Sequence, residues 1–242
     1  MIHPEPSSSS RNHSHDVFDL DAEGYEEAVD RSIAFTRRDV SFFARRKVSL
    51  LRKIVHAQGQ DLDQAVLLDV GCGAGTTDRH LASQVKSLHG VDVSEEMVSV
   101  ARKHVADGEF LHYDGKTLPF PSGSFDVVIA ICVLHHVPQP DQTSFLRELV
   151  RVTRSGGVIA VFEHNPANPL TRRAVRGCEL DVGVELLRAK DVERLLAGTG
   201  ARVVSRDYFL FTPFGGRLGS TVDQLLRWLP FGGQHVVVAR SG

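Results

Sequence analysis

From about position 65 onward, short apolar runs alternate with stretches whose apolar residues recur at helical spacing. The pattern predicts strands over 65–70, 87–92, 109–112, 125–131, 157–163, 202–211 and 234–240. Between them it predicts helices over 76–85, 94–104, 141–153, 190–198 and 220–228. Ser94, followed by Glu95 and Glu96, reads as an N-cap with acids in the first turn, and Gly108 and Gly200 stand where helices stop. Upstream, residues 23–56 carry apolar positions at Ala28, Ile33, Phe35, Val40, Phe42 and Phe43, which predicts a helix in two pieces ended by Gln58-Gly59-Gln60. Strands alternating with helices imply an α/β fold, a doubly wound sheet of seven strands that is mostly parallel. Pro230-Phe-Gly-Gly233 before the last run predicts one antiparallel strand near the C-terminus, at one edge of the sheet.

Composition narrows the class without changing this picture. The 242 residues suffice for one sizeable core, and a formal net charge of −2 offers no global field for nucleic acid. Cys72, Cys132 and Cys178 show no zinc spacing and fit a reducing compartment. With no apolar leader and no run long enough to span a membrane, the chain is expected to be soluble and cytoplasmic. Residues 1–16, with Pro4, Pro6 and Ser7 to Ser10, read as a disordered tail. Residues 17–60 read as a helical cap, and 61–242 as the main domain with an insertion at about 165–187.

The first strand carries the chemistry. Val66-Leu-Leu-Asp69-Val70 runs into Gly71-Cys-Gly73-Ala-Gly75. Glycines at alternate positions let the backbone turn sharply and leave room for a ligand over the next helix, a nucleotide-binding device. The dinucleotide pattern fails because Thr76 stands where its third glycine belongs, and the phosphate loop fails because no lysine follows Gly75. Asp69 at the mouth would repel a pyrophosphate and suits a ligand with an ammonium group. Asp92, ending the second strand, sits where a ribose-diol acceptor belongs. A nucleoside with a diol, a cationic end and no phosphate is S-adenosylmethionine.

With these motifs in hand, the chain resembles the class I S-adenosylmethionine-dependent methyltransferases over roughly 61–200. Asp69 to Gly75 matches the family's first motif, Asp92 its ribose-binding acid, and Tyr113-Asp114-Gly115 its adenine-binding turn. Leu118 to Ile129, Leu134-His-His-Val137 and Gly156 to Ala160 match the later motifs. The resemblance implies a Rossmann-like fold, with S-adenosylmethionine as cofactor and S-adenosylhomocysteine as product. It places Asp69, Gly71, Gly73, Gly75, Asp92, Val93, Asp114, Gly115 and the backbone near Cys132 against that cofactor. Asp69 is expected to accept from the loop's own amides while facing the ammonium.

An oxygen acceptor needs a base, and three histidines fall at strand ends: His135, His136 and His164. Glu163 is expected to orient His164, and no metal is expected, because these two neighbours cannot both turn easily onto one ion. The segment 165–187 is expected to serve as a lid or binding loop. Its Arg172, Arg173 and Arg176 read as solvated helix surface, or else meet an anionic acceptor. Phe35, Phe42 and Phe43 are candidate substrate walls. Arg37, Arg38, Arg45, Arg46, Lys47, Arg52 and Lys53 read as the polar face of a helix, which makes a nucleic-acid partner unlikely. The expected activity is methylation of a small molecule, on oxygen rather than nitrogen, by a monomer or homodimer. Cys132-Val-Leu-His-His136 stands where enzymes of planar amides carry an Asn/Asp-Pro-Pro segment. The alternatives are an RNA methyltransferase using the basic helices, or a protein that holds the cofactor without transferring its methyl.

Overall fold

The computed structural model of the chain describes residues 22–212 and 216–242. The tail expected over 1–16 and the first residues of the cap lie outside the described residues. The cap consists of α1 (Ala22–Ile33) and α2 (Val40–Ala57). They separate where Arg37 adopts a left-handed φ of 57°, and Asp39 restarts the helix by accepting the Phe42 amide at 2.8 Å. Leu51, Ile54 and Val55 of α2 are buried in the core.

The chain then runs through β1 (Val66–Val70), α3 (Asp78–Leu81), β2 (Ser87–Asp92), α4 (Glu95–His104), β3 (Gly108–His112) and β4 (Phe125–Ile131). It continues with α5 (Gln142–Val152), β5 (Thr153–His164), α6 (Pro169–Arg176), α7 (Ala189–Ala197), β6 (Arg202–Phe209), α8 (Gly216–Leu226) and β7 (Gln234–Arg240). Among the described residues the strands form one seven-stranded sheet in the order β3-β2-β1-β4-β5-β7-β6. Only β7 runs against its neighbours.

Alternation along the strands divides the core between the two faces. Leu67, Val127, Ile129, Ala160 and Phe162 pack on one side with α2 and α4. Leu68, Val128, Ala130, Ile159 and Val161 pack on the other with α5 and α7. Strand order reverses between β1 and β4, the switch point at which ligands collect beyond the carboxyl ends of the strands.

Four elements depart from the sequence expectation. The last strand is not at an edge: β7 lies between β5 and β6. Gln234 to Ala239 are buried without a break, a pattern only an interior strand sustains, whereas β6 carries Arg202, Arg206 and Asp207 to the rim. The helix expected over 76–85 shrinks to α3 and a 3-10 turn at Ala82–Gln84. There the Gln84 side chain donates to the His80 carbonyl at 2.6 Å, the acceptor a continuing helix would use. β6 stops at Phe209 because Leu210 takes a φ of 61°. α8 lies earlier than expected, ending at Leu226. Within 165–187 the structure holds α6, capped by Asn168, whose Oδ1 accepts from Leu170 and Thr171, with Pro169 in its first turn.

Candidate active site

β1 delivers Asp69 to the floor of the site, and the chain then turns through three glycines of positive φ, 80° at Gly71, 53° at Gly73 and 76° at Gly75. Gly71 is required twice over. Beyond its left-handed backbone, a Cβ there would stand 2.3 Å from Val133 Cγ2. Gly73 is the opposite case, since nothing lies within 4 Å of where its Cβ would be. The backbone therefore borders open space at that point. The amides of Gly71 and Cys72 donate to the Val91 carbonyl at 2.7 and 3.1 Å, and Gly73 donates to Asp92 Oδ2 at 2.8 Å.

Those bonds correct one expectation. Asp69 was expected to accept from the loop's amides, but the Gly73 amide serves Asp92, and Asp69 Oδ1 is buried with no hydrogen-bond partner. Burial pushes the Asp69 carboxyl from 3.8 up to about 7, against the nearby Lys47 ammonium and helped by the Asp92 charge. Asp92 binds the Ser94 amide through Oδ1 at 3.0 Å, and burial still lifts its pKa above the usual carboxylate range. Asp114 is exposed, and its Oδ1 accepts from Lys116 and Thr117 at 2.8 and 2.9 Å. Those amides hold its carboxyl below the usual value. This wall is acidic, and at Asp69 it leaves a buried oxygen without a partner, a setting for a cation.

Cys132 ends β4 with a φ of 57°, a left-handed turn that a non-glycine residue adopts at a cost of about 1–3 kcal/mol. The turn throws the chain into the 3-10 segment Leu134–His136. Glu163, fully buried at the end of β5, fixes that segment through both oxygens. Oε1 accepts the Leu134 amide at 2.8 Å, and Oε2 lies 2.5 Å from His135 Nδ1. The 3-10 turn Glu179–Asp181 closes the cluster, with Asp181 Oδ1 3.5 Å from His135 Nε2 and 3.4 Å from His136 Nε2. The first approach is electrostatic, since His135 Nε2 completes no hydrogen bond.

Burial disfavours the charged form of His135, but Glu163 and Asp181 outweigh it and hold its pKa well above 6.5. Burial likewise opposes ionisation of Glu163 and Asp181, yet the histidines hold both below the ordinary carboxylate range. His164 goes the other way. Burial, then the nearby His135 charge, lowers it to about 4. The Cys132 thiol is pushed up by burial, as suits a packing group and not a nucleophile.

One cavity of ≈ 1690 Å³ joins the two walls. Of the residues singled out from the sequence, Asp69, Gly71, Gly73, Asp92 and Val93 border it on the first wall, with Asp114 and Gly115 at one end. Cys132, His135, His136 and His164 border it on the second. Gly75 does not. It lies beneath the loop, where a Cβ would meet Val105 and Ala101 at the end of α4, so its smallness serves packing. Phe35 and Phe43 line the cavity, whereas Phe42 turns into the core. Two of the basic residues read as a solvated face are turned inward. Arg46 is buried in an ion pair with Asp223, and Lys47 Nζ reaches 4.0 Å from Cys132 Sγ. Sequence reasoning put Lys47 on a solvated face and gave no site role to Asp181 or Gln234. The last lies 3.6 Å from Cys132 Sγ and 3.3 Å from His164 Nδ1 through its Nε2. A basic residue on the apolar side of the α2 pattern was the one signal available for Lys47.

The fold and its glycine loop define a nucleoside-binding α/β domain of the methyltransferase type. A family model described as a methyltransferase domain matches residues 68–161. Ajmaline N-methyltransferase of Rauvolfia serpentina is 36% identical over 40% of this chain and 35% of its own length. Ubiquinone biosynthesis O-methyltransferase of Sinorhizobium medicae is 26% identical over 70% of this chain and 73% of its own. Magnesium protoporphyrin IX methyltransferase from Synechocystis PCC 6803, solved with bound S-adenosylmethionine, superposes with a TM-score of 0.66 at 17% identity. That match covers 98% of this chain and 100% of that one. The chain spans about a third to a half of the length of the first curated relatives it matches. Residues 68–161 carry a methyltransferase domain, and the relatives and structural neighbours support a class I S-adenosylmethionine-dependent methyltransferase. Among the described residues, no helix is long and apolar enough to cross a membrane.

Proposed function

We propose that the protein methylates a hydroxyl group of a small-molecule acceptor, with S-adenosylmethionine as donor. The observation that carries this reading is the single cavity running from the glycine loop and Asp69 to His135, His136 and Asp181. The residues present fit the cofactor: an unpartnered buried carboxylate suits an ammonium, and the open space at Gly73 admits a nucleoside against the backbone. Asp92 would take the ribose hydroxyls on the lone pairs its two amide bonds leave over. Asp114 and Gly115 would meet the adenine edge. Asp69 and the backbone at Cys132 would meet the ammonium, with Lys47 nearby for the carboxylate. When bound, the cofactor supplies an electrophilic methyl group on a sulfonium.

The chain's own contribution is mostly orientation. Holding acceptor and donor at attack distance is worth up to about 7–11 kcal/mol in well-aligned cases. The cap and the segment 165–187 act as the acceptor-side walls, through Phe35, Phe43 and Val182. A hydroxyl must also lose its proton, and the His135–His136–Asp181 cluster is the group that promotes this. His164, at about 4, is too weak a base for work near neutrality. The RNA reading loses support because Arg46 and Lys47 are engaged inside the protein. Labelled S-adenosylmethionine incubated with matched phenol and aniline acceptors tests the proposal. Label in the hydroxyl compound supports it. Label in the amine alone overturns the oxygen assignment, and calorimetry showing no cofactor binding overturns the reading as a whole.

A further inference from the structure

His135, His136 and Asp181 each offer a ligand atom within 4.8 Å of the other two. Asp181 Oδ1 stands 3.5 Å from His135 Nε2 and 3.4 Å from His136 Nε2. Donor atoms at 2.0–2.2 Å from a tetrahedral ion are about 3.4 Å apart, so these separations are those of a coordination shell. They are too long for good hydrogen bonds.

A second observation is independent of that spacing. The His135 side chain is fully buried, and its Nε2 is aimed into the cluster without a hydrogen-bond partner. Its Nδ1 faces Glu163 Oε2 at 2.5 Å. A carboxylate that accepts from Nδ1 fixes the ring and leaves the Nε2 lone pair pointing outward, the arrangement that backs metal-bound histidines. A ring nitrogen and a carboxylate oxygen that face each other across 3.5 Å leave room for a cation between them.

We propose that His135, His136 and Asp181 bind a borderline divalent transition ion of the Zn²⁺ type, with its fourth position open to the cavity. Two imidazoles and one carboxylate suit zinc, cobalt or iron better than magnesium or calcium, which prefer oxygen ligands. All three residues border the cavity, so the open position faces the space assigned to the acceptor. An acceptor hydroxyl in that position loses its proton to solvent water and keeps the O–H electron pair on oxygen. The ion lowers the pKa of that hydroxyl as catalytic zinc lowers that of bound water, to about 7. The ion also ties the segment 165–187 to the end of β4. Asp181 belongs to that segment, whose Cys178 and Leu180 pack against Ala28 of α1. Only the identity of the fourth ligand rests on the function proposed above.

Co²⁺ titration of the metal-stripped full chain, without an affinity tag, tests the site by optical spectroscopy. The expected result is one equivalent bound, with the strong visible bands of a tetrahedral ion. Asp181→Asn and His136→Gln should each weaken that binding by about tenfold or more, with thermal melts confirming that both variants fold. Absence of tetrahedral bands at one equivalent overturns the proposal, as do bands that persist at full affinity in both folded variants. Cobalt binding in a protein that takes no S-adenosylmethionine would keep the metal site while removing the cofactor reading, so the two fail separately.

Discussion

If Asp69 meets the ammonium of the cofactor as proposed, the affinity has a pH dependence that can be worked out in advance. In the free protein its carboxyl titrates at about 7, because burial opposes the charge and its Oδ1 has no hydrogen-bond donor. An ammonium group placed against it favours the carboxylate, so binding below pH 7 must first remove a proton. The first pH unit below 7 then costs about fivefold in affinity, and each further unit about 1.4 kcal/mol, roughly tenfold. Above about 7.8 the ligand's own α-amino group loses its charge, so affinity should peak between these values. The sign for folding is the reverse. A carboxyl raised from 3.8 to about 7 adds stability below pH 3.8, and that stability is lost as pH rises through about 7. The loss amounts to roughly 4 kcal/mol, which a bound cation offsets. Isothermal titration from pH 5.5 to 8 in buffers of different ionisation enthalpy measures both the affinity and the proton released. The expected result is a decline of about fivefold between pH 7 and 6 with nearly one proton released at pH 6, and a flat profile in Asp69→Asn. An affinity constant across that range in the native protein, or an unchanged slope in the variant, refutes the reasoning.

Gly71→Ala should cost about 1–3 kcal/mol in denaturant unfolding, from a left-handed alanine and the clash with Val133. Gly59→Ala, at a φ of 75° with nothing within 4 Å, isolates the backbone part and should cost less. Equal losses would remove the argument from close approach. His164→Asn should lower kcat/KM by less than about tenfold and leave the shape of the pH–rate profile unchanged. A loss of 10²–10⁴-fold together with an altered profile would instead make His164 the base.

Much of the fold was legible in the sequence because buried strands such as Val66–Val70 and Phe125–Ile131 advertise themselves as short apolar runs. The position of β7 was not. An antiparallel return can be placed inside or outside the preceding strand, and only the comparison of Gln234–Arg240 with the charged β6 decides it. α3 failed for a local reason, a glutamine side chain capturing a helix carbonyl, which periodicity does not register. In the site, the acids at the ends of β1 and β2 and the glycine turn stood out because each is chemically unusual at its position. Hydrogen-bond partners did not follow from them, and Gly73 serves Asp92 across the turn instead of Asp69. The resemblance put Gly75 against the cofactor, and in the fold a Cβ there would also meet Ala101 and Val105 at the end of α4. Asp181 was visible only as one acid in a polar segment. Its meaning comes from the folding of 165–187 back across His135 and His136, a long-range contact that no local pattern encodes.

The affinity of the purified protein for S-adenosylmethionine, measured beside its Asp92→Ala variant and beside NAD, bears most directly on the cofactor crevice. Hydrogen bonds to a carboxylate are worth about 1.5–3 kcal/mol each, so the variant should bind at least about tenfold more weakly, and NAD should not bind. Full affinity in Asp92→Ala, or uptake of NAD in place of the sulfonium nucleoside, would contradict it.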